Sequence, residues 1–314
     1  MSPRTKFPAD RGLTARMMST VFLLGLLYAV FVTVLFLVGV KLVFILVIAI
    51  VLLFVQYFYS DRIALYSMSG KIVTREQAPQ LHAVVDRLCA LADMPKPQVA
   101  IADVDMPNAF ATGRNQKHAV VCVTTGILRR LNEPELEAVL AHELSHVAHR
   151  DVAVMPIASF LGILAGLLTR VLAYAGLFGG FGGGGNRGRG GGGGGGGQLA
   201  LIELGMLVFS ALVYAISFLL IRTLSRYREL AADRSGAILI GQPRLLAQAL
   251  VKVTGEMSRI PTRDLRAAEH FNAFFFAPAF AKGVSLSTLF STHPTLERRL
   301  QQLTELEAQM GRAA

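Results

Sequence analysis

Four long apolar runs, separated by stretches rich in charge or glycine, organise the chain. The first two form one continuous run over 17–59 that carries a single charge, Lys41. About 20 helical residues cross the hydrocarbon core of a bilayer, so this run is twice what one span needs. Splitting it at 39–41 predicts two helices, near 17–38 and 42–59, in a tight hairpin. A secretory signal would have an apolar core of about 7–15 residues and a small-residue cleavage site. The run is far longer, so the N-terminal segment is expected to be retained. The third run is 152–178 and the fourth 199–221. The third contains Gly162-x-x-x-Gly166, a spacing that lets helices approach closely in lipid. The fourth contains Glu203 within about one turn of its end, where a carboxylate can reach the interface. Between them, 179–197 holds fifteen of the chain's 30 glycines. Glycine this dense cannot build a core and reads as a flexible linker. No strand-like run precedes it and no Gly-Lys-Ser/Thr ends it, so it is not a phosphate loop.

The remaining segments are polar enough to leave the bilayer. In the first of them, 81–91 has a helical apolar period that Pro95 and Pro97 end. Short strands are predicted at 99–102 and 119–123, with 109–112 a third. Asn132 fits a helix N-cap, with Pro134 in the first turn and Glu135 three residues on, the pattern of a capping box. That helix should run to about Arg150. After Arg222 the chain is expected to be soluble and largely helical to its end.

Composition agrees with this plan. Some 53% of residues are apolar and 17% charged, with mean hydropathy +0.50, whereas soluble domains carry roughly 25% charged residues. A disordered chain, a coiled coil and a disulfide scaffold are excluded. Cys89 and Cys122 form no CxxC pair and read as buried thiols in a reducing compartment. Net charge is +10, from 31 Lys and Arg against 21 Asp and Glu. Nucleic acid is one partner for such a balance, but cations also flank spans on the cytoplasmic side, and no nucleic-acid partner is expected. Arg4, Lys6, Arg11 and Arg16 precede the first span, and Arg222, Arg226 and Arg228 follow the fourth. They outweigh Lys41 in one turn and Arg187 and Arg189 in the linker. With four spans both termini share a side, here the cytoplasm. The domain plan is 1–60 as tail and hairpin, 61–151 as a cytosolic part, 152–221 as a second membrane pair with the linker 179–197, and 222–314 as a cytosolic helical part.

The candidate chemistry lies in His142-Glu143-Leu144-Ser145-His146. On a helix, positions i and i+4 share a face, so His142 and His146 can grip one metal ion. Glu143 lies on the adjacent stripe, where a carboxylate can reach a metal-bound water. Leu136, Leu140, Leu144 and Val147 fall on a different face and are expected to pack inward. A bare two-histidine face on a solvated helix is the bland alternative. A catalytic zinc needs a third protein ligand and an open position. His149 is one candidate, on the same face but a turn further along. Glu229, in Arg228-Glu229-Leu230-Ala231-Ala232-Asp233, is the better one. It can approach from a second helix, whereas three ligands on one straight helix would spread over about 10 Å of axis. Asp233, one turn from Glu229, can orient a ligand histidine.

These motifs resemble the HtpX family of membrane zinc metalloproteases, relatives of the CAAX prenyl proteases. The resemblance covers nearly the whole chain: Pro107-Asn108-Ala109-Phe110-Ala111-Thr112-Gly113, Ala141-His142-Glu143-Leu144-Ser145-His146, Glu229-x-x-Ala232-Asp233 and Ser291-Thr292-His293-Pro294, with a hydrophobic hairpin before the first and two spans between the second and third. The polyglycine insert departs from the family's common pattern. The fold class implied is a mainly α-helical polytopic membrane protein, with four transmembrane helices and a gluzincin-like zinc protease domain containing a small β-sheet. The resemblance implies one Zn2+ per subunit, a substrate-binding edge strand at Asn108, Ala109, Phe110 and Ala111, and His293 near the zinc as transition-state donor or resting-state ligand. It also implies Arg299 as an oxyanion helper, with Arg298 the rival in register. For Asn108 a plain turn, and for His293-Pro294 a helix-start turn, are the alternatives. The implied activity is endopeptidase cleavage at the cytoplasmic face of the cell membrane, in contact with membrane lipid and acting on misfolded membrane proteins. A prenyl-protein protease and a non-catalytic zinc scaffold are the other readings.

Overall fold

A computed structural model of the chain describes residues 11–37, 42–149, 166, 195–257 and 293–313. Along it run α1 (Arg11–Leu37), α2 (Leu42–Ser67), β1 (Gly70–Ile72), α3 (Pro79–Ala92), β2 (Gln98–Ala102), β3 (Ala109–Gly113), β4 (Ala119–Thr124), α4 (Thr125–Arg130) and α5 (Glu133–Ala148). Then come α6 (Gly195–Ile240), α7 (Pro243–Met257) and α8 (Leu296–Ala313). The three predicted strands, α3 and α5 are present within a residue or two, whereas α1 begins six residues before its predicted start. Neither β1 nor α4 was expected. Two helices run past their predicted ends, α2 to Ser67 and α6 to Ile240, and α6 takes in 195–197 of the expected linker. The third apolar run with Gly162, the linker up to 194, the tail 1–10 and Ser291-Thr292 lie outside the described residues.

Contacts divide the chain into two compact units, Met18–Phe54 with Ile157–Ile221, and Met1–Met17 with Val55–Pro156 and Arg222–Ala314. In the first unit, Leu24, Phe31 and Leu35 of α1 bury against Met206 and Val213 of α6, and the Phe31 and Phe209 rings stack with centroids 6.0 Å apart. The outward residues of both helices are also apolar: Phe22, Leu26, Leu37, Leu201, Val208 and Leu212 are exposed. An apolar inside with an apolar outside is the pattern of a lipid-facing helix. Among the described residues, Arg11–Leu37 and Leu204–Ile240 are long and apolar enough to cross a membrane.

The second unit holds a four-stranded sheet in the order β1-β2-β4-β3, with β2 and β4 parallel and the other pairs antiparallel. All six residues of β4 are buried. Its Val120-Val121-Cys122-Val123 run suits a strand covered on both faces. Burial pushes the Cys122 thiol up to about 12 and the Cys89 thiol, which also faces Asp86, to about 11, so neither sulfur is a nucleophile. Strand β3 lies at an edge, and its register is clamped at one end. The Asn108 backbone N–H donates to Thr124 Oγ1 at 2.9 Å, and the Thr124 N–H donates to the Asn108 carbonyl at 2.9 Å.

Helix α5 starts as the sequence predicts. The Asn132 side chain accepts from the Glu135 N–H at 2.9 Å, and Glu135 Oε2 accepts from the Asn132 N–H at 3.0 Å. Lys252 of α7 donates to the same Glu135 oxygen at 2.8 Å, which ties α7 across α5. Leu136, Leu140, Leu144 and Val147 pack inward as expected, but His142, Glu143 and His146 are buried too. The expected amphipathic helix is thus covered on nearly every side, because the sheet, α6 and α7 all pack on it. Its tightest neighbour is Gly236 of α6: a Cβ there would lie 2.8 Å from the His142 backbone nitrogen and 3.0 Å from the Ala141 carbonyl carbon.

That approach generates a paired prediction. Gly236→Ala forces backbone against backbone and should cost about 1–3 kcal/mol. Gly255→Ala in α7, where a Cβ meets nothing within 4 Å, should be neutral or stabilise by about 0.4–1 kcal/mol. Thermal unfolding of both variants in detergent measures the difference. Equal melting temperatures would remove Gly236 from the packing argument.

Candidate metal centre

The capping box fixes where α5 begins, and the helical repeat then fixes His142 and His146 one turn apart. Their rings stand 4.9 Å apart and nearly perpendicular. Glu229 comes from α6, the long helix that continues the fourth apolar run. Glu229 Oε2 lies 3.7 Å from His142 Nε2, and Glu229 Oε1 lies 3.4 Å from His146 Nε2. The three donor atoms fall within 4.8 Å of one another, all buried. Donors at about 2 Å around a tetrahedral ion stand about 3.3 Å apart. Two imidazole nitrogens and a carboxylate at these separations therefore fit a zinc ion, in donor chemistry and in size.

Each member of the cluster has a further partner. His142 Nδ1 lies 2.9 Å from Asp233 Oδ1. Burial works to lower the His142 pKa, but Asp233 and Glu229 outweigh it and the net direction is upward. Asp233 is held by Arg299, whose Nε donates to Oδ2 at 2.7 Å and whose Nη2 donates to Oδ1 at 2.6 Å. Burial works to lower the Arg299 pKa, and the facing Asp233 carboxylate more than offsets it. His293 Nδ1 lies 3.0 Å from Glu229 Oε2. Glu143 Oε2 accepts from the Ala111 backbone N–H at 3.0 Å. Burial drives the Glu143 pKa up, against the pull of the two histidines. A carboxylate raised in this way, beside a metal cradle, is suited to accept a proton.

The structure thus brings His142, Glu143, His146, Glu229, Asp233, His293, Arg299 and the strand Ala109–Ala111 into one site. Asn108 is fully buried at the start of β3, against Thr124. His149 does not join the cluster: its Nδ1 lies 2.9 Å from the Ser145 carbonyl of its own helix. Arg298 is exposed and bonds Gln301, whereas Arg299 is buried. Two participants were missed by sequence reasoning. Arg228 Nη2 lies 3.5 Å from His146 Nδ1, and Gly236 admits α6 to the backbone of α5. A glycine three residues past Asp233 on the same helix was the available signal.

The profile of Peptidase family M48 matches residues 75–307. The chain is 56% identical to Protease HtpX homolog 1 of Streptomyces coelicolor, covering 99% of this chain and 98% of that protein. It is 53% identical to Protease HtpX homolog of Moorella thermoacetica (98% and 98%) and 49% identical to Protease HtpX homolog 2 of Methanosarcina mazei (98% and 100%). A solved structure, that of S. mikatae Ste24p, aligns with a TM-score of 0.48 at 18% identity, over 94% of this chain and 67% of that one.

The geometry separates the two candidate third donors. Plasma mass spectrometry of purified variants should find most of the zinc lost from Glu229→Ala and retained by His149→Ala. The reverse pattern would overturn the cluster as the metal centre.

Proposed function

The chain belongs to peptidase family M48, among the HtpX proteases, and on that footing we propose that its buried His-His-Glu cluster is the catalytic centre of a zinc endopeptidase working at the cytoplasmic face of the membrane. That it is a membrane zinc protease follows from the family. The observation that supports the finer reading is the convergence of the His142, His146 and Glu229 donor atoms within 4.8 Å, with the Glu143 carboxylate beside them.

In this reading His142, His146 and Glu229 hold one zinc ion. Zinc bound there supplies Lewis acidity, polarising a carbonyl oxygen and acidifying water. Glu143 takes the proton of the attacking water at its carboxylate and delivers it to the departing amine. The Ala111 N–H holds that carboxylate in place. The substrate lies along β3 as an added strand, on the outward backbone groups of Ala109 and the outward carbonyl of Ala111, which face away from β4. His293, placed against Glu229, serves as donor to the developing oxyanion in this reading.

The chain is read as a four-span protein with a gluzincin-like protease domain divided between 61–151 and 222–314, and membrane pairs in 1–60 and 152–221. Cations sit on aromatic rings where the apolar run of α2 ends: Arg62 over Tyr59 at 5.8 Å and Arg114 over Phe58 at 5.2 Å. Such pairs suit a membrane–water interface and favour a protease part lying close to it. Substrates delivered there are polypeptides of the membrane itself, which suits removal of misfolded membrane proteins under stress.

Two tests follow. Glu143→Gln should keep its zinc and lose at least about 100-fold in casein hydrolysis, measured in detergent beside a chelator control. Undiminished turnover would remove Glu143 from the mechanism. For topology, an impermeant thiol reagent should reach Asp10→Cys, Lys71→Cys and Gly311→Cys from the cytoplasmic side and Gly190→Cys from the opposite side. Labelling of all four from one side would contradict four spans.

A further inference from the structure

We propose that Arg299 is a positioning residue that holds the Asp233 carboxylate so that Asp233 fixes the His142 ring with Nε2 toward the metal, and that it does not serve the reacting carbonyl. The proposal rests on reading His142 as a metal ligand. It departs from the oxyanion role that the family resemblance implies for Arg299.

The geometry carries it. Arg299 sits in the first turn of α8 with 1% of its surface exposed, although arginine is almost never fully buried unless paired. It meets Asp233 fork to fork: Nε faces Oδ2 at 2.7 Å and Nη2 faces Oδ1 at 2.6 Å. That edge of the guanidinium is committed to one carboxylate in the bidentate arrangement that fixes orientation as well as charge. The same Oδ1 lies 2.9 Å from His142 Nδ1. A carboxylate there selects the tautomer with hydrogen on Nδ1 and leaves the Nε2 lone pair free to bind a metal. His142 Nε2 is the ring nitrogen that faces Glu229. The order Arg299, Asp233, His142 therefore runs from α8 through α6 to α5 and ends at a donor atom.

The chemistry explains why the first member is needed. Asp233 has no exposure to water, so its aim depends on its protein partners. A buried carboxylate that loses its two-point partner is free to reorient. Reorientation withdraws the acceptor from His142 Nδ1 and releases the ring. Lysine in place of Arg299 would return the charge without the two-point grip, so it should restore the function only in part.

The test uses the full chain purified in detergent. Zinc affinity is measured by competition with a chromophoric chelator, hydrolysis of casein is measured at saturating zinc, and the zinc-free proteins are melted. The variants are Arg299→Gln, Arg299→Lys, Asp233→Asn, the double variant of Arg299→Gln with Asp233→Asn, and His142→Ala. Arg299→Gln should weaken zinc binding about 10–100-fold, the range for losing an outer partner of a metal ligand. Added zinc should return most of its activity. Arg299→Lys should fall between it and the wild type. The double variant should bind zinc no more weakly than Asp233→Asn alone, because Arg299 acts only through that carboxylate. Unchanged zinc affinity with a loss of about 100–1,000-fold in kcat that zinc does not rescue would identify an oxyanion donor instead and overturn the proposal. A lowered melting temperature with unchanged affinity and activity would reduce Arg299 to a purely structural role and also overturn it. If Arg299→Gln does not fold, Arg299→Lys decides by the same affinity criterion. Wild-type affinity in His142→Ala would overturn the metal-centre reading itself, an outcome separate from all of these.

Discussion

Burying three carboxylates side by side is the constraint on which this protease part depends. Glu143, Glu229 and Asp233 are at most 6% exposed, and an ionised carboxylate taken from water without partners is strongly unfavourable. Each therefore requires neighbours from elsewhere in the chain. Glu229 meets His142, His146 and His293. Asp233 meets His142 and Arg299. Glu143 meets the Ala111 N–H. Satisfying all three obliges α5, α6, α8 and β3 to converge. The backbone makes room for that convergence at Gly236, where α6 comes so close to α5 that a methyl group would collide with His142.

The same arrangement divides the carboxylates by role. Asp233 faces a full cation held in a fork, an environment that keeps it charged and still. For Glu143, burial drives the pKa upward, and the two histidines and one backbone N–H oppose that only in part. Environments that push neighbouring acids apart assign them different work. The carboxylate left closest to neutrality is the one suited to carry a proton, and the one locked by a cation is suited to hold a ring.

Much of this was legible in the sequence, and the gaps have physical causes. The start of α5 could be read because a capping box is local, involving residues three apart. The metal motif could be read because i and i+4 share a face whatever the tertiary structure. The burial of that face could not, since α6 and α7, which complete its cover, lie about 90 residues and more further on. Nor could the extent of α6: the charges after Arg222 mark the end of an apolar run, but Leu, Ala, Arg and Glu continue a helix readily, so the chain leaves the apolar stretch without a break. Strand β1, three residues long, is too short to show a period. The choice between Arg298 and Arg299 was open to a finer reading. Arg299, Leu303 and Leu306 repeat at i, i+4 and i+7, the spacing of a core stripe, and all three are buried, whereas Arg298 falls off that stripe and is exposed.

The edge strand connects sheet register to the chemistry. In an antiparallel pair, alternate residues turn their N–H and C=O toward the partner and away from it. With Asn108 bonded to Thr124, Phe110 and Thr112 face β4, and Ala109 and Ala111 face outward. Only in that register does the Ala111 N–H reach Glu143. A slip of one residue would turn it into the sheet and move the Phe110 ring to the opposite face. The clamp against such a slip is Thr124. Its hydroxyl accepts from the Asn108 N–H, contacts the Met106 carbonyl at 2.8 Å, and caps α4 by accepting from the Ile127 N–H at 3.2 Å. A buried threonine at the end of the central strand therefore fixes both the outward backbone groups of β3 and the hydrogen bond that holds Glu143. The sheet edge and that carboxylate share one register, so neither can shift without the other.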